Sequence, residues 1–166
     1  RRTASAPARI NIIGEHTDRF GGMTLSFPSQ HRLVLSASRS RSGAIGDPVV
    51  VRLWESAGGW DAELKVQSEI PIGAGMSSSA ALCVAVAMCS GNFDGEMDVS
   101  LEAQRIEHEV LDSHCGLLDQ IAITHSTKGY ATLIDFDCMS VSDFRVPSDW
   151  LFKLVDTGIR RNLRET

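Results

Sequence analysis

At 166 residues the chain is long enough for one hydrophobic core and too short for two large ones, so a single domain is expected. Its composition, 43% apolar and 22% charged, is that of an ordinary globular protein and excludes the disordered and fibrous classes. The formal net charge is -5 and basic residues group only at the chain ends (Arg1, Arg2, Arg160, Arg161, Arg164), which argues against nucleic acid as a partner, because phosphate-backbone binding needs a clustered basic surface.

Residues 8–13 (ARINII) begin an extended segment that ends in GEHTDRFGG, a Gly-rich polar run that reads as a turn and is the place for chemistry rather than for packing. Segments 31–38 (HRLVLSAS), 49–54 (VVVRLW) and 62–66 (AELKV) are short, rich in β-branched or large apolar residues and separated by Gly-rich turns. They are predicted as antiparallel strands. At residue 71 the pattern changes to PIGAGMSSSAALCVAVAMCS, a Gly-rich turn, a serine cluster and a run that is apolar on every side, as expected of a buried helix. Val99, Ala103, Ile106 and Val110 follow one helical face over 99–112, with Glu107 on its flank. A third helix over 116–126, a strand at ATLIDF (131–136) and a strand at 152–156 complete the prediction. Strands, then helices, then strands point to an α+β fold rather than a doubly wound parallel sheet.

The longest apolar stretch, Ala80 to Cys89, is far shorter than the roughly 20 residues that span a bilayer, and no signal-peptide pattern opens the chain. No membrane partner is expected. Cys83, Cys89, Cys115 and Cys138 contain no Cys-x-x-Cys pair and read as reduced thiols of a cytoplasmic protein. His31, His108, His114 and His125 lack metal-ligand spacing and read as structural.

PIGAGMSSSAA (71–81) is the segment most informative for nucleotide chemistry. Gly73 and Gly75 permit backbone angles that aim successive N–H groups at an anion. Ser77, Ser78 and Ser79 are expected in the first helical turn, where free N–H groups and the helix dipole favour phosphate. A bland alternative is that Ser77 only caps the helix. The segment lacks the Gly-Lys-Ser/Thr end of a Walker A loop and the spacing of a dinucleotide-binding turn.

Together these segments resemble the small-molecule kinases named after galactokinase, homoserine kinase, mevalonate kinase and phosphomevalonate kinase (GHMP). PIGAGMSSSAA looks like the family's phosphate loop. ARINIIGEHTDRFGG (8–22) is similar to the galactokinase signature, HCGLLDQ (114–120) to the segment with its catalytic aspartate, and RIEHEV (105–110) to the stretch with its magnesium-binding glutamate. The resemblance implies a mixed, mainly antiparallel sheet backed by helices, like domain 2 of ribosomal protein S5. Residues 1–166 would form a single N-terminal domain, with the C-terminal domain absent. It also implies roles: Asp119 as the base that takes the sugar hydroxyl proton, with Arg9 as the cation beside it. Glu15, His16, Asp18 and Gly116 would bind sugar, Gly73, Gly75, Ser77, Ser78 and Ser79 the nucleotide, and Ser79 with Glu107 magnesium.

ATP and Mg²⁺ are therefore the implied cofactors and a small sugar, galactose first, the implied acceptor. Phosphoryl transfer needs these parts: an in-line nucleophile, charge neutralisation on phosphate oxygens and a fixed cation. Arg19 stands where galactokinases commonly carry an aromatic residue, which leaves a uronic acid open as acceptor. A catalytically silent sugar and nucleotide sensor is the alternative of another class, and the complete serine loop favours the enzyme. Trp54 and Trp60 are candidates for stacking on adenine or for the core. Without the family's third, Gly-rich motif and C-terminal half, the chain alone is expected to be inactive or nearly so.

Overall fold

A computed structural model describes residues 1–71, 73–155 and 157. Strands β1 (Arg2–Ile13) and β2 (Met23–Arg39) are its frame. In β1, Ala4, Ala6 and Ala8 are buried while Thr3 and Ser5 are exposed. This alternation turns one face to the core, and its small side chains let the helices approach closely. β2 pairs antiparallel with β1 on one side. On the other it pairs with β3 (Ala62–Ser68) through Leu33–Arg39 and with β4 (Tyr130–Asp135) through Met23–Ser26. β5 (Ser140–Arg145) joins the outer edge of β4, making one five-stranded sheet.

The β1–β2 register slips where β2 passes from β3 to β4. Pro7 faces Arg32 and Arg9 faces Pro28, so Ser29, Gln30 and His31 lie opposite Ala8 alone. A bulge of this kind bends the strand and resets its alternation, here immediately before Arg9.

Helices cover one face of the sheet. α2 (Ser78–Ser90) lies against β1 and β2, and Ala80, Ala81, Cys83, Val84, Ala85, Val86, Ala87 and Cys89 are all buried, as its all-round apolar sequence requires. α3 (Glu96–Leu111) packs on α2 through Ala103 and Ile106, with Val99 and Val110 at the margins of the core. α4 (Leu118–Thr124) closes a second, smaller core of Leu118, Ile121, Ala122, Ile134 and Phe136. The fold is thus α+β, with an antiparallel sheet backed by helices. Among the described residues parallel pairing is limited to the bridge between Ile45 and Glu63.

Two expected strands are not found, and one strand is present that was not expected. Residues 49–54 are not a strand but belong to α1 (Pro48–Ser56). Asp47 accepts hydrogen bonds from the Val49 and Val50 amides at 2.9 and 3.4 Å, and Pro48 occupies the first helical position, where its missing N–H is harmless. Val50, Leu53 and Trp54 are then buried on one helical face. Packing and capping override the β-branched run. Residues 152–155 form no strand; the Phe152 ring instead lies 4.5 Å from that of Phe27. Asp156, the last residue of that predicted strand, falls outside the described residues, as do Arg160, Arg161 and Arg164. β5 was not expected, because an exposed edge strand reading SVSDFR lacks the usual apolar alternation.

Trp54 is fully buried and its indole N–H donates to the Trp60 carbonyl at 2.7 Å. It is a core residue and not an adenine platform. All four cysteines are free. Among the described residues, no helix is long and apolar enough to cross a membrane.

Candidate active site

The bulge in β2 and the start of α4 bring together residues 110 positions apart. Arg9 donates through Nε to Asp119 Oδ1 at 2.7 Å, and a terminal nitrogen of the same guanidinium pairs with the same oxygen. The two side chains are 17% and 27% exposed, sheltered enough to hold the pair yet open to a ligand. The other carboxylate oxygen, Oδ2, accepts from Ser77 Oγ at 2.5 Å, a short charge-assisted hydrogen bond. Both oxygens of Asp119 are thereby oriented.

Ser77 stands at the N-cap of α2, one residue earlier than expected, with Ser78 and Ser79 as the first helical residues. Its backbone is left-handed (φ 58°, ψ 46°) and its hydroxyl makes no capping bond. That conformation is uncommon for a residue with a side chain. The hydroxyl is spent on Asp119 instead, which removes the reading of Ser77 as an ordinary cap. Gly73 and Gly75 are left-handed as well, at φ 72° and 70°. The turn before α2 is therefore built from the backbone angles that its glycines predict.

Glu107 is 3% exposed, deeper than its place on the flank of the α3 stripe suggests. Its Oε1 accepts from Ser79 Oγ at 2.8 Å and its Oε2 from Gln120 Nε2 at 2.7 Å. Burial pushes its carboxyl above the ordinary range, and the Ser79 and Gln120 hydrogen bonds oppose that rise. With its hydrogen given to Glu107, Ser79 Oγ keeps its lone pairs for accepting. Two hard oxygen donors side by side suit Mg²⁺, which takes one or two protein oxygens and completes its shell with water and substrate phosphates. Among the described residues no three His, Cys, Asp or Glu side chains gather as a dedicated metal cage.

The sugar-binding candidates divide. Asp18 and Gly116 meet: Asp18 Oδ2 accepts from the Leu118 amide at 3.3 Å, and a Cβ on Gly116 would run into the Asp18 carboxylate. Glu15 and His16 are exposed on the turn, and their side chains make no hydrogen bond among the described residues. His16 is itself left-handed, at φ 62°. Thr17, which the sequence did not single out, holds this turn by donating to the Gly14 and Met23 carbonyls at 2.8 and 3.1 Å. Arg19 donates to the His114 carbonyl, tying the turn to the segment before α4.

His108 donates through Nε2 to the Cys115 carbonyl at 2.8 Å and His125 through Nδ1 to the Ile121 carbonyl at 3.2 Å, in keeping with structural roles. Gln120 was also not singled out. The signal for it was a lone amide inside the apolar run LLDQIAI.

Comparison with known proteins places the chain in a family. The model of the GHMP kinases N terminal domain matches residues 32–127, and the galactokinase galactose-binding signature matches residues 1–39. Galactokinases of Chloroflexus aurantiacus and Thermotoga maritima are each 31% identical over 98% and 95% of this chain, and over 50% and 53% of their own length. Among solved structures, Lactococcus lactis galactokinase complexed with galactose superposes with a TM-score of 0.69 at 20% identity, covering 89% of this chain and 48% of that one. A mevalonate kinase does so with a TM-score of 0.66 at 13% identity, covering 90% and 57%. The chain spans about half the length of the curated relatives it matches. It belongs to the GHMP kinase family as a galactokinase-like member, and corresponds to the N-terminal part of those proteins.

Proposed function

We propose that the protein is an ATP-dependent sugar kinase that transfers the γ-phosphoryl group of ATP to a sugar hydroxyl, converting galactose to galactose 1-phosphate. One observation carries this reading: Asp119 is held between a cation, Arg9, and a residue of the phosphate loop, Ser77. A base fixed beside the nucleotide loop is what an in-line transfer to an acceptor hydroxyl needs.

In this reading Asp119 takes the proton of the sugar hydroxyl as its oxygen attacks the γ-phosphorus and the bond to the β–γ bridging oxygen breaks. Arg9 keeps the carboxylate aimed and offers positive charge where negative charge develops. The amides of the turn at Gly73, Gly75, Ser77 and Ser78 receive the phosphates. Ser79 and Glu107 would hold magnesium, which would supply charge neutralisation for the transferring group. Glu15, His16, Asp18 and Gly116 form the sugar side. Arg19 donates to the His114 carbonyl and ties the sugar-side turn to the segment before α4.

The relatives are about twice as long as the chain, so the activity is proposed for this chain together with a C-terminal half. Half a site loses the positioning and water exclusion on which the transfer depends, and the 166-residue chain by itself is expected to be inactive. In the full-length protein, Asp119→Asn should lower turnover by about 10²–10⁴-fold, the range for loss of a general base, while ATP binding measured by calorimetry stays close to that of the parent. Near-normal turnover on galactose would overturn the assignment. Binding of galactose and ATP by the full-length parent without any phosphorylated product would instead support a sensor.

A further inference from the structure

Asp119 and Gln120 are neighbours in the first turn of α4, and their side chains diverge. Asp119 turns to Arg9 and Ser77; Gln120 turns to Glu107. We infer that Gln120 is a positioning residue for the metal site, fixing the Glu107 carboxylate so that its other oxygen and Ser79 face the cation together. The inference rests on the magnesium role proposed for Glu107.

Three features carry it. The two oxygens of Glu107 are bonded in different directions, Oε1 to Ser79 at 2.8 Å and Oε2 to Gln120 at 2.7 Å, so the amide sets the rotation of the carboxylate about its final bond. Gln120 is also fully buried, yet its Oε1 has no partner among the described residues. A buried polar atom without a partner is destabilising, and an apolar side chain of the same length would fill this space without that penalty. The residue is thus placed for its N–H groups, one on Glu107 and one reaching Cys115 Sγ at 3.4 Å. The opposite amide orientation would aim its oxygen at the carboxylate.

Charge is the third feature. An Arg or Lys donor at this position would orient Glu107 equally well but would neutralise it and compete with the cation. A neutral amide orients the carboxylate and leaves its charge for the metal, the usual logic of groups that support a metal ligand from behind. The backbone of Gln120 is anchored in turn, its carbonyl accepting from Thr124 Oγ1 at 2.7 Å and Ser100 Oγ at 3.4 Å.

The test uses the full-length protein and Mn²⁺ as a spectroscopic substitute for magnesium, in the presence of a non-hydrolysable ATP analogue. Gln120→Met keeps the length and removes the donor; Gln120→Asn keeps the amide but withdraws it, and serves if the first variant does not fold. Free Mn²⁺ is read by electron paramagnetic resonance, and metal-free galactose affinity by calorimetry. Either variant should weaken Mn²⁺ binding about 10–100-fold, the range for loss of a group supporting a metal ligand. Galactose affinity should be unchanged, and Gln120→Met should add no further loss in a Glu107→Gln background. Weakened Mn²⁺ binding in Glu107→Gln but not in the Gln120 variants overturns the inference alone. Unchanged Mn²⁺ binding in Glu107→Gln overturns the metal assignment itself. Equal losses of metal and galactose affinity in the Gln120 variants would show a purely structural role.

Discussion

On the serine-loop side of the candidate site, Ser77, Ser79, Glu107 and Asp119 are each hydrogen-bonded to another candidate residue or to Gln120. On the turn from Gly14 to Gly22, Glu15 and His16 stand exposed, and only the backbone around them is pinned, by Thr17, Asp18 and Arg19. Under the proposed roles, the difference follows from what each side would do. Groups that carry charge through a reaction gain from being oriented beforehand, since reorganisation then adds nothing to the barrier. Groups that recognise hydroxyls keep their donors and acceptors open until the ligand fills them. A rigid turn with unengaged side chains achieves the second, a buried network the first.

The comparison breaks most severely at Arg9. In the full-length protein Arg9→Met should cut kcat by about 10²-fold, the scale of losing one charge-stabilising group, with galactose affinity little changed. A matching loss of galactose affinity, by calorimetry, would move Arg9 to the recognition side. Gly116→Ala acts there by design, because its new Cβ meets the Asp18 carboxylate. We expect an increase in KM for galactose of about 10-fold, on the order of one misplaced contact in a binding site, with ATP affinity preserved; steady-state kinetics with each substrate varied will show it.

A smaller effect separates stability from chemistry. Burial raises the Glu107 carboxyl above its ordinary value, so between that value and the raised one the native state binds more protons than the unfolded state. Stability then falls as pH rises through this window, and the full penalty is present above it. Without metal, Glu107→Gln should therefore melt higher than its parent at pH 7, and the two should converge as pH falls below the ordinary carboxyl range. A parent that gains stability as pH rises through the window would contradict the burial argument. The smallest effect concerns thiols. Burial, with the nearby Glu107 charge, pushes Cys115 up to about 11, and burial in the core raises Cys83 as well. Iodoacetamide at pH 7.5 or so should label exposed Cys138 first and leave these two largely unreacted, since the thiolate is the nucleophile; mass spectrometry of the time course reads this directly.

Much of the fold was readable because its signals are local. The apolar run of α2, the stripe of α3 and the glycines before Ser77 each state their structure within a dozen residues. The segment 49–54 misled because three valines outweighed the Asp47-Pro48 start, although Val50, Leu53 and Trp54 already carried the helical spacing. β5 was missed because an edge strand with one face in water needs little apolar sequence. In the site, the family resemblance set Arg9 beside Asp119 and Ser79 with Glu107, and the structure brings both pairs into contact; the remaining pairs had no such signal. Nothing near Ser77 announces that its hydroxyl will turn to Asp119, and nothing near Gln120 announces Glu107 on another helix.

The bulge in β2 gives the site a dependence on length as well as on residue identity. Ser29, Gln30 and His31 lie opposite Ala8 alone, and the spacing of this insert decides which β2 residue faces Arg9. In genetic terms, deleting one codon there leaves every candidate site residue encoded. Such a deletion is expected to turn over the half of β2 that pairs with β4, because a one-residue slip exchanges the two faces of a strand. A survey that checked only for the expected residues would score such an allele as intact, whereas a survey of gap positions would find the lesion.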